Sequence, residues 1–242
     1  MKNVKFYSVL FFTIIFSYNL YAQCDVSLSG NVDFVSRYVW RGADIGNAPS
    51  AQPFITLEAK GFSLGVWGAY CLANNSSAVD EIDLWASYTH EFDNTMSLTL
   101  LVTDYTFPNN GVKFFNFNNY DNAEGAGAHT LEAGASLALG EKLPLTLSAY
   151  YNFYNDAGSN SYFEIGYSTN VKEVSLDLFC GASPGSEDNQ AYYGTDKFNV
   201  INLGAKVTKE IKITDDFSFP LFVSYIINPK AEKSFMVLGI SL

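Results

Sequence analysis

An alternation of apolar and polar residues with a period of two is the feature that most constrains the fold of this chain. Leu98, Leu100 and Val102, for example, alternate with Ser97 and Thr99. Successive side chains of a β-strand point to opposite faces, whereas a helical face repeats about every 3.6 residues. The same pattern returns along almost the whole chain, which therefore predicts an all-β fold.

The lengths of the alternating segments point to a membrane. Most are longer than the ~5–6 residues typical of strands in soluble sheets, and they match the ~9–11 residues that a tilted strand needs to cross a bilayer. Connections after the even-numbered segments are tight turns, whereas those after the odd-numbered segments are polar loops, the longest at 108–127 and 183–197. The predicted strands cover residues 26–41, 50–60, 61–72, 80–91, 95–107, 128–139, 143–154, 161–171, 173–182, 198–211, 216–227 and 233–242.

Short turns at one rim and long loops at the other are the layout of a transmembrane antiparallel up-and-down β-barrel, here of 12 strands. Closure satisfies every backbone N–H and C=O group in lipid, where an open sheet would leave two edges unpaired. The strands of a secreted β-sandwich would show the same alternation, but its outer faces would carry more charge. A sandwich would also not require short and long connections in alternation. Apolar positions then face lipid, and aromatic residues at segment ends, such as Tyr38, Trp40 and Tyr105, are predicted to lie in the interfacial girdle.

The first 22 residues have the pattern of a secretory signal peptide. Lys2 and Lys5 precede an apolar stretch at 6–16, and Ala22 ends a small-residue cleavage site. We therefore expect residues 1–22 to be a signal peptide and residues 23–242 to be the barrel domain. Export and a barrel together predict the outer membrane of a Gram-negative bacterium.

Composition restricts the partners. The formal net charge of −11 would repel nucleic acid phosphates, so no nucleic-acid partner is expected. The expected partners are outer-membrane lipid and small polar solutes or ions. Cys71 and Cys180 lie in separate predicted strands on opposite parities, so a disulfide between them is not expected.

Residues that carry chemistry are few, and no enzyme activity, cofactor or metal is predicted. A barrel lipid hydrolase would need a serine with a histidine. The two histidines, His90 and His129, are predicted at opposite rims, so they do not share a site. The acidic groups lack the spacing of a dedicated calcium loop.

The polar positions of the alternating segments supply the candidate functional residues, because their side chains face the interior of the barrel. These positions carry seven acidic residues and three basic ones, and inward charge is costly unless it is paired or hydrated. The residues form either an ion-pair network that closes a narrow barrel or the lining of a water-filled pore. The lumen-lining candidates are Asp33, Arg37, Arg41, Glu58, Glu81, Asp83, Glu132, Glu164, Asp177 and Lys206.

Two arginines near the end of the first predicted strand receive different expected roles. Hairpin-like pairing with the second strand would place Arg37 near Glu58 and Arg41 near Gln52. Arg37 is then expected to form an ion pair that stabilises the barrel wall. Arg41 would lie at the outer mouth, with fewer acids within reach, and is expected to contact solute.

The same region resembles a known bacterial family. The run 35–42, with the sequence VSRYVWRG, the following APSAQP at 48–53, and GFSLGVWG at 61–68 with EIDL at 81–84 are similar to signature stretches of the Gcw_chp family, whose members are also labelled TorF-type porins. The resemblance implies a signal-bearing outer-membrane β-barrel, and it brings no known substrate or site.

The leading functional hypothesis is an outer-membrane porin-like channel for passive diffusion of small polar solutes or ions, with a preference for cations. One alternative is a barrel with a closed lumen that acts as a structural or interaction protein through its extracellular loops. A barrel lipid hydrolase is the third.

Overall fold

A computed structural model describes residues 26–73, 79–92, 95–117, 127–186 and 192–242. The predicted signal peptide at 1–22 and the predicted turn at 93–94 lie outside the described residues. Within the described ranges there is no helix with the length and apolar character needed to cross a membrane.

The described residues form fourteen strands, twelve of them long. The strands are β1 (Val26–Val35), β2 (Val39–Trp40), β3 (Ala43–Asp44), β4 (Ser50–Ala59), β5 (Phe62–Cys71), β6 (Glu81–Glu91), β7 (Ser97–Thr106), β8 (His129–Ala138), β9 (Leu145–Tyr154), β10 (Ser161–Val171), β11 (Val174–Ser183), β12 (Asn199–Lys212), β13 (Ser218–Asn228) and β14 (Lys233–Ser241).

The twelve long strands form one closed antiparallel barrel. Each pairs with its neighbours along the chain, and β1 closes the ring by pairing with β14, with Asp33 opposite Ser241 and Val35 opposite Gly239. Two backbone hydrogen bonds of 3.0 Å between Val32 and Leu242 extend the closure. The predicted 12-strand barrel is confirmed, and no strand edge in it is left without a partner.

Tight turns join the strands at one end, which we call the turn end. Lys60 and Gly61 connect β4 to β5 with φ angles of 51° and 84°, the signs required by the primed turns that favour hairpins. The other end, where β1 finishes at Val35, is called the loop end. Side chains at alternate positions, such as Leu28, Leu64 and Leu100, are exposed on the outside, as a lipid-facing surface requires.

The first strand is shorter than predicted. It ends at Val35 rather than Arg41, and residues 36–49, which we call the inner loop, leave the barrel wall and carry the small hairpin β2–β3. The alternation continues past Val35, so period alone could not mark the strand end. Tyr38 and Tyr105 are buried and hydrogen-bonded to interior carboxylates, and Trp40 packs against Tyr105, so their predicted place in the lipid-facing girdle is wrong.

Candidate functional site

The inner loop folds into the loop end of the barrel because its hairpin turns tightly. Arg41 and Gly42 join β2 to β3, and both have positive φ angles, of 45° and 78°. Gly42 also lies against β12, where a Cβ atom would come within 1.9 Å of the Ile201 carbonyl oxygen. Glycine is therefore required by both conformation and space. Asn228 on β13 fixes the turn by donating a 3.1 Å hydrogen bond to the Gly42 carbonyl.

Arg41, at the tip of this hairpin, forms a buried bidentate ion pair with Glu132 on β8. Its Nη1 lies 2.5 Å from Oε2 of Glu132, and its Nη2 donates to Oε1 at 2.9 Å. The Arg41 side chain is only 9% exposed, and Tyr105 donates a third hydrogen bond to Glu132. Planar, two-point pairing of this kind fixes position as well as charge.

Aromatic rings surround the Arg41 guanidinium. Its central carbon lies 4.3 Å from the ring centre of Tyr150, 4.4 Å from Trp40 and 4.6 Å from Tyr162. Arg41 also donates a hydrogen bond to the hydroxyl of Tyr193, from the connection between β11 and β12. Burial raises the pKa of Tyr193 to about 12, so its phenol stays neutral near pH 7. The ring contacts and the ion pair hold the hairpin tip against the barrel wall.

A second contact holds the base of the hairpin. The Tyr38 hydroxyl donates a 2.9 Å hydrogen bond to Glu81 at the start of β6. The ring of Tyr38 packs 5.4 Å from that of Trp67 on β5. The inner loop is thus fixed at two carboxylates on different strands.

Neither arginine has the partner that the sequence predicted. Arg37 pairs at 2.6 Å with Asp44 inside the inner loop, and not with Glu58. Glu58 lies opposite Ser27, and Gln52 lies opposite Asp33, so the predicted pairing of Arg41 with Gln52 is wrong as well. Both predictions assumed that β1 continues as a strand past Val35. Arg41 is the buried brace, whereas the Arg37 side chain is 33% exposed.

The other lumen-lining candidates lie on the inner parity of their strands. Asp33 accepts a hydrogen bond from Ser241, Glu58 accepts from Ser27 and Ser63, Glu164 accepts from Tyr162 and Asn202, Asp177 accepts from Ser168, and Lys206 lies 4.2 Å from the ring centre of Phe222. The register places Asp177 opposite Lys206 and Glu132 opposite Thr103. Asp83 is buried, and its Oδ1 atom has no hydrogen-bond partner among the described residues.

Trp40 lines two cavities. The loop-end cavity, of about 390 Å³, is lined by Trp40 and by Arg41, Asp44, Tyr192 and Tyr193 among others. A second cavity, of about 460 Å³, is lined by Trp40 and Tyr38 together with residues of β4 to β7. The inner loop therefore borders both cavities.

The histidines do not form a catalytic pair. His90 lies near the turn end and packs against Phe92 with ring centres 4.7 Å apart. His129, at the loop end, is buried: Nδ1 lies 2.8 Å from Asp104 Oδ2, and Nε2 donates to the Phe114 carbonyl at 2.6 Å. Neither histidine has a serine partner among the described residues. No cluster of three His, Cys, Asp or Glu suited to a metal occurs in the described ranges.

Cys71 and Cys180 are free cysteines. Cys71 lies at the end of β5 and Cys180 on β11, and Cys180 is exposed on the outer parity. Neither cysteine belongs to the network around the inner loop.

Sequence reasoning missed Tyr38, Trp40, Tyr105, Asp44 and Tyr193 as parts of this network. Gly42 was the available signal, because glycine inside an alternating run often marks a turn or a close backbone approach. Nothing in the sequence indicated that Tyr193 reaches Arg41 across the barrel mouth.

A closed antiparallel barrel with a lipid-facing exterior and a polar interior defines a membrane-spanning β-barrel protein. The family described as "Bacterial protein of unknown function (Gcw_chp)" matches residues 20–219, and the chain belongs to this family. The resemblance seen in the sequence is thus confirmed. No curated protein matches this chain.

Solved structures share the fold at low sequence identity. A structure named "KdgM porin" is 10% identical, with a TM-score of 0.50, over 87% of this chain and 97% of that chain. A second, from work on the in-meso crystallization of membrane proteins, is 12% identical with a TM-score of 0.50, over 88% of this chain and 82% of that one. At such identities the likeness concerns the fold.

Proposed function

We propose that this protein is a porin-like channel of the outer membrane of a Gram-negative bacterium, delivered there by a cleaved signal peptide. It admits small polar solutes or ions by passive diffusion and prefers cations. The barrel, its lipid-facing exterior and its likeness to a structure named as a porin support the first part of the proposal.

The unbalanced interior charge carries the preference for cations. Of the seven inward acids, Glu132 has an ion-pair partner, and the other six have no Lys, Arg or His within ion-pair distance in the described part of the chain. Arg37 is neutralised by Asp44 within its own loop. A lumen with surplus carboxylates has a negative potential, which raises the local concentration of cations.

One observation favours the closed-lumen alternative. The inner loop fills the loop end of the interior, and its tip is fixed by Glu132 and by aromatic rings. A barrel closed in this way would act through its loops as a structural or interaction protein.

Conductance separates these two functions. Purified full-length mature chain, folded in detergent, is inserted into a planar lipid bilayer in potassium chloride. Discrete, reproducible conductance steps are expected for the channel. A folded chain that inserts without any steps would contradict the channel and favour the closed barrel.

Folding and insertion need their own check. A closed barrel resists detergent, so the unheated protein migrates faster than the heated protein on a denaturing gel. This mobility shift, together with protection from protease in liposomes, shows whether a preparation without conductance contains folded and inserted barrel.

A further inference from the structure

All three tryptophans of the chain line one cavity. Trp40 comes from the inner loop, Trp67 from β5 and Trp85 from β6, and they face the same space of about 460 Å³. Tyr38 and Tyr105 add further rings, packed 5.4 Å from Trp67 and 5.9 Å from Trp40. We call this space the aromatic cavity. Its volume is in the range of pockets that hold small organic molecules.

One carboxyl group in the wall of the aromatic cavity lacks a basic partner. Asp83 is only 8% exposed, and its Oδ1 accepts no hydrogen bond from any described residue. No Lys, Arg or His of the described chain pairs with it. The adjacent inward acid, Glu81, accepts the Tyr38 hydroxyl, and its carboxyl group is also hydrogen-bonded to that of Asp83. Two buried carboxyl groups without a basic partner leave the site without positive charge, so it favours a cation brought from outside.

The chemistry of the wall selects among cations. A hydrated inorganic ion such as calcium is held by six to eight oxygen ligands, whereas this wall is dominated by aromatic rings. Faces of tryptophan and tyrosine attract an ammonium group that is surrounded by carbon, because the ring quadrupole favours the charge and the ring surface packs against the alkyl groups. A carboxylate beside such rings supplies the opposite charge.

We propose that the aromatic cavity binds a small organic cation of the alkylammonium or quaternary ammonium class, with Asp83 as its counter-ion. The cation reaches the site through the lumen, so the inference rests on the proposed function in that respect. Binding there would slow the passage of such solutes relative to potassium and select them from a mixture.

Tryptophan fluorescence reports directly on this site, because the chain has no tryptophan elsewhere. The folded full-length mature chain in detergent is titrated with choline chloride and, separately, with 3,3-dimethyl-1-butanol, its uncharged carbon analogue. Sodium chloride controls for ionic strength. Choline should give a saturable change, at an affinity at least about tenfold higher than that of the uncharged analogue.

Substitutions test whether Asp83 supplies the negative charge that binds choline. Asp83→Asn should weaken choline binding by at least about tenfold, since it removes the counter-ion and keeps the shape. Asp215→Asn is the matched control, because it neutralises a carboxylate of the turn between β12 and β13 that is already paired with Lys212 and does not line the cavity. That variant should bind choline like the unmodified chain.

Three results would overturn the proposal: no saturable choline response in the folded chain, an equal response to the uncharged analogue, or unchanged binding in folded Asp83→Asn protein. The comparison of the two probes needs no variant, so it decides the matter if Asp83→Asn does not fold. Because binding is measured in detergent, it is independent of conductance: a chain that binds choline but gives no current contradicts the channel alone, and a conducting chain that does not bind choline contradicts this inference alone.

Discussion

The two halves of the barrel interior are built from the same alternating pattern and yet differ in content. At the turn end the inward side chains are mostly small hydroxyls, which pair across strands, as Thr89 does with Thr99 at 2.8 Å and Ser136 with Ser148 at 3.0 Å. At the loop end the interior is filled by the inner loop, its ion pair and a group of large rings. The number of strands sets the diameter of the barrel, but the inner loop determines how much of the lumen stays open.

The packing on either side of the inner loop also differs. Towards β13 and β14 its Val39 packs on an apolar cluster of Val35, Phe222, Ile226, Phe235 and Val237. Towards β5 to β8 it meets carboxylates and tryptophans instead. One side of the loop is therefore held by apolar packing, whereas the other side is held by hydrogen bonds and an ion pair.

Removal of the hairpin should have the largest effect on conductance. Replacing residues 39–44 with a short glycine–serine linker takes away Trp40 and Arg41 while leaving the twelve barrel strands unchanged. Single-channel conductance in bilayers should rise several-fold, because the loop that fills the loop end of the interior is lost. A folded variant with unchanged conductance would show that the inner loop does not restrict the lumen.

Arg41→Ala should cause the largest loss of stability from a single substitution. It leaves Glu132 buried without its counter-charge, and breaking a buried ion pair costs about 3–5 kcal/mol. Denaturant titration of the folded chain measures this loss. The double variant with Glu132→Ala should lose less than the sum of the two single variants, and simple additivity would contradict the pairing.

Tyr38→Phe should have an intermediate effect. It removes the hydroxyl that donates to Glu81 and keeps the ring that packs on Trp67. The loss of a hydrogen bond to a buried carboxylate costs about 1–3 kcal/mol. The same titration tests this, and a variant as stable as the unmodified chain would show that the Tyr38 contact does not anchor the loop.

Arg37→Ala should have the smallest effect. Its partner Asp44 lies in the same loop, and the arginine is partly exposed, so the pair contributes no more than about 1 kcal/mol. A loss similar to that of Arg41→Ala would contradict the different roles assigned to the two arginines.

The barrel was predictable from the sequence because a period of two, sustained over segments of membrane-spanning length, has few other solutions. Predicted and observed strands agree to within a few residues, except that β1 ends at Val35. The alternation alone did not reveal the inner loop, because Tyr38 and Trp40 continue the parity of the strand; Gly42 was the one available signal. The ion pair of Arg41 with Glu132 joins residues far apart in sequence, and only the turn at Gly42 brings them together.

The reversal potential under a potassium chloride gradient tests the central claim most directly. The unmodified chain in a planar bilayer should give a potential of the sign expected for cation preference, because six inward carboxylates have no ion-pair partner in the described structure. Neutralising Glu58 and Asp177 together should reduce that potential toward zero. A potential of the opposite sign in the unmodified chain would show that anions pass more readily and would contradict the account.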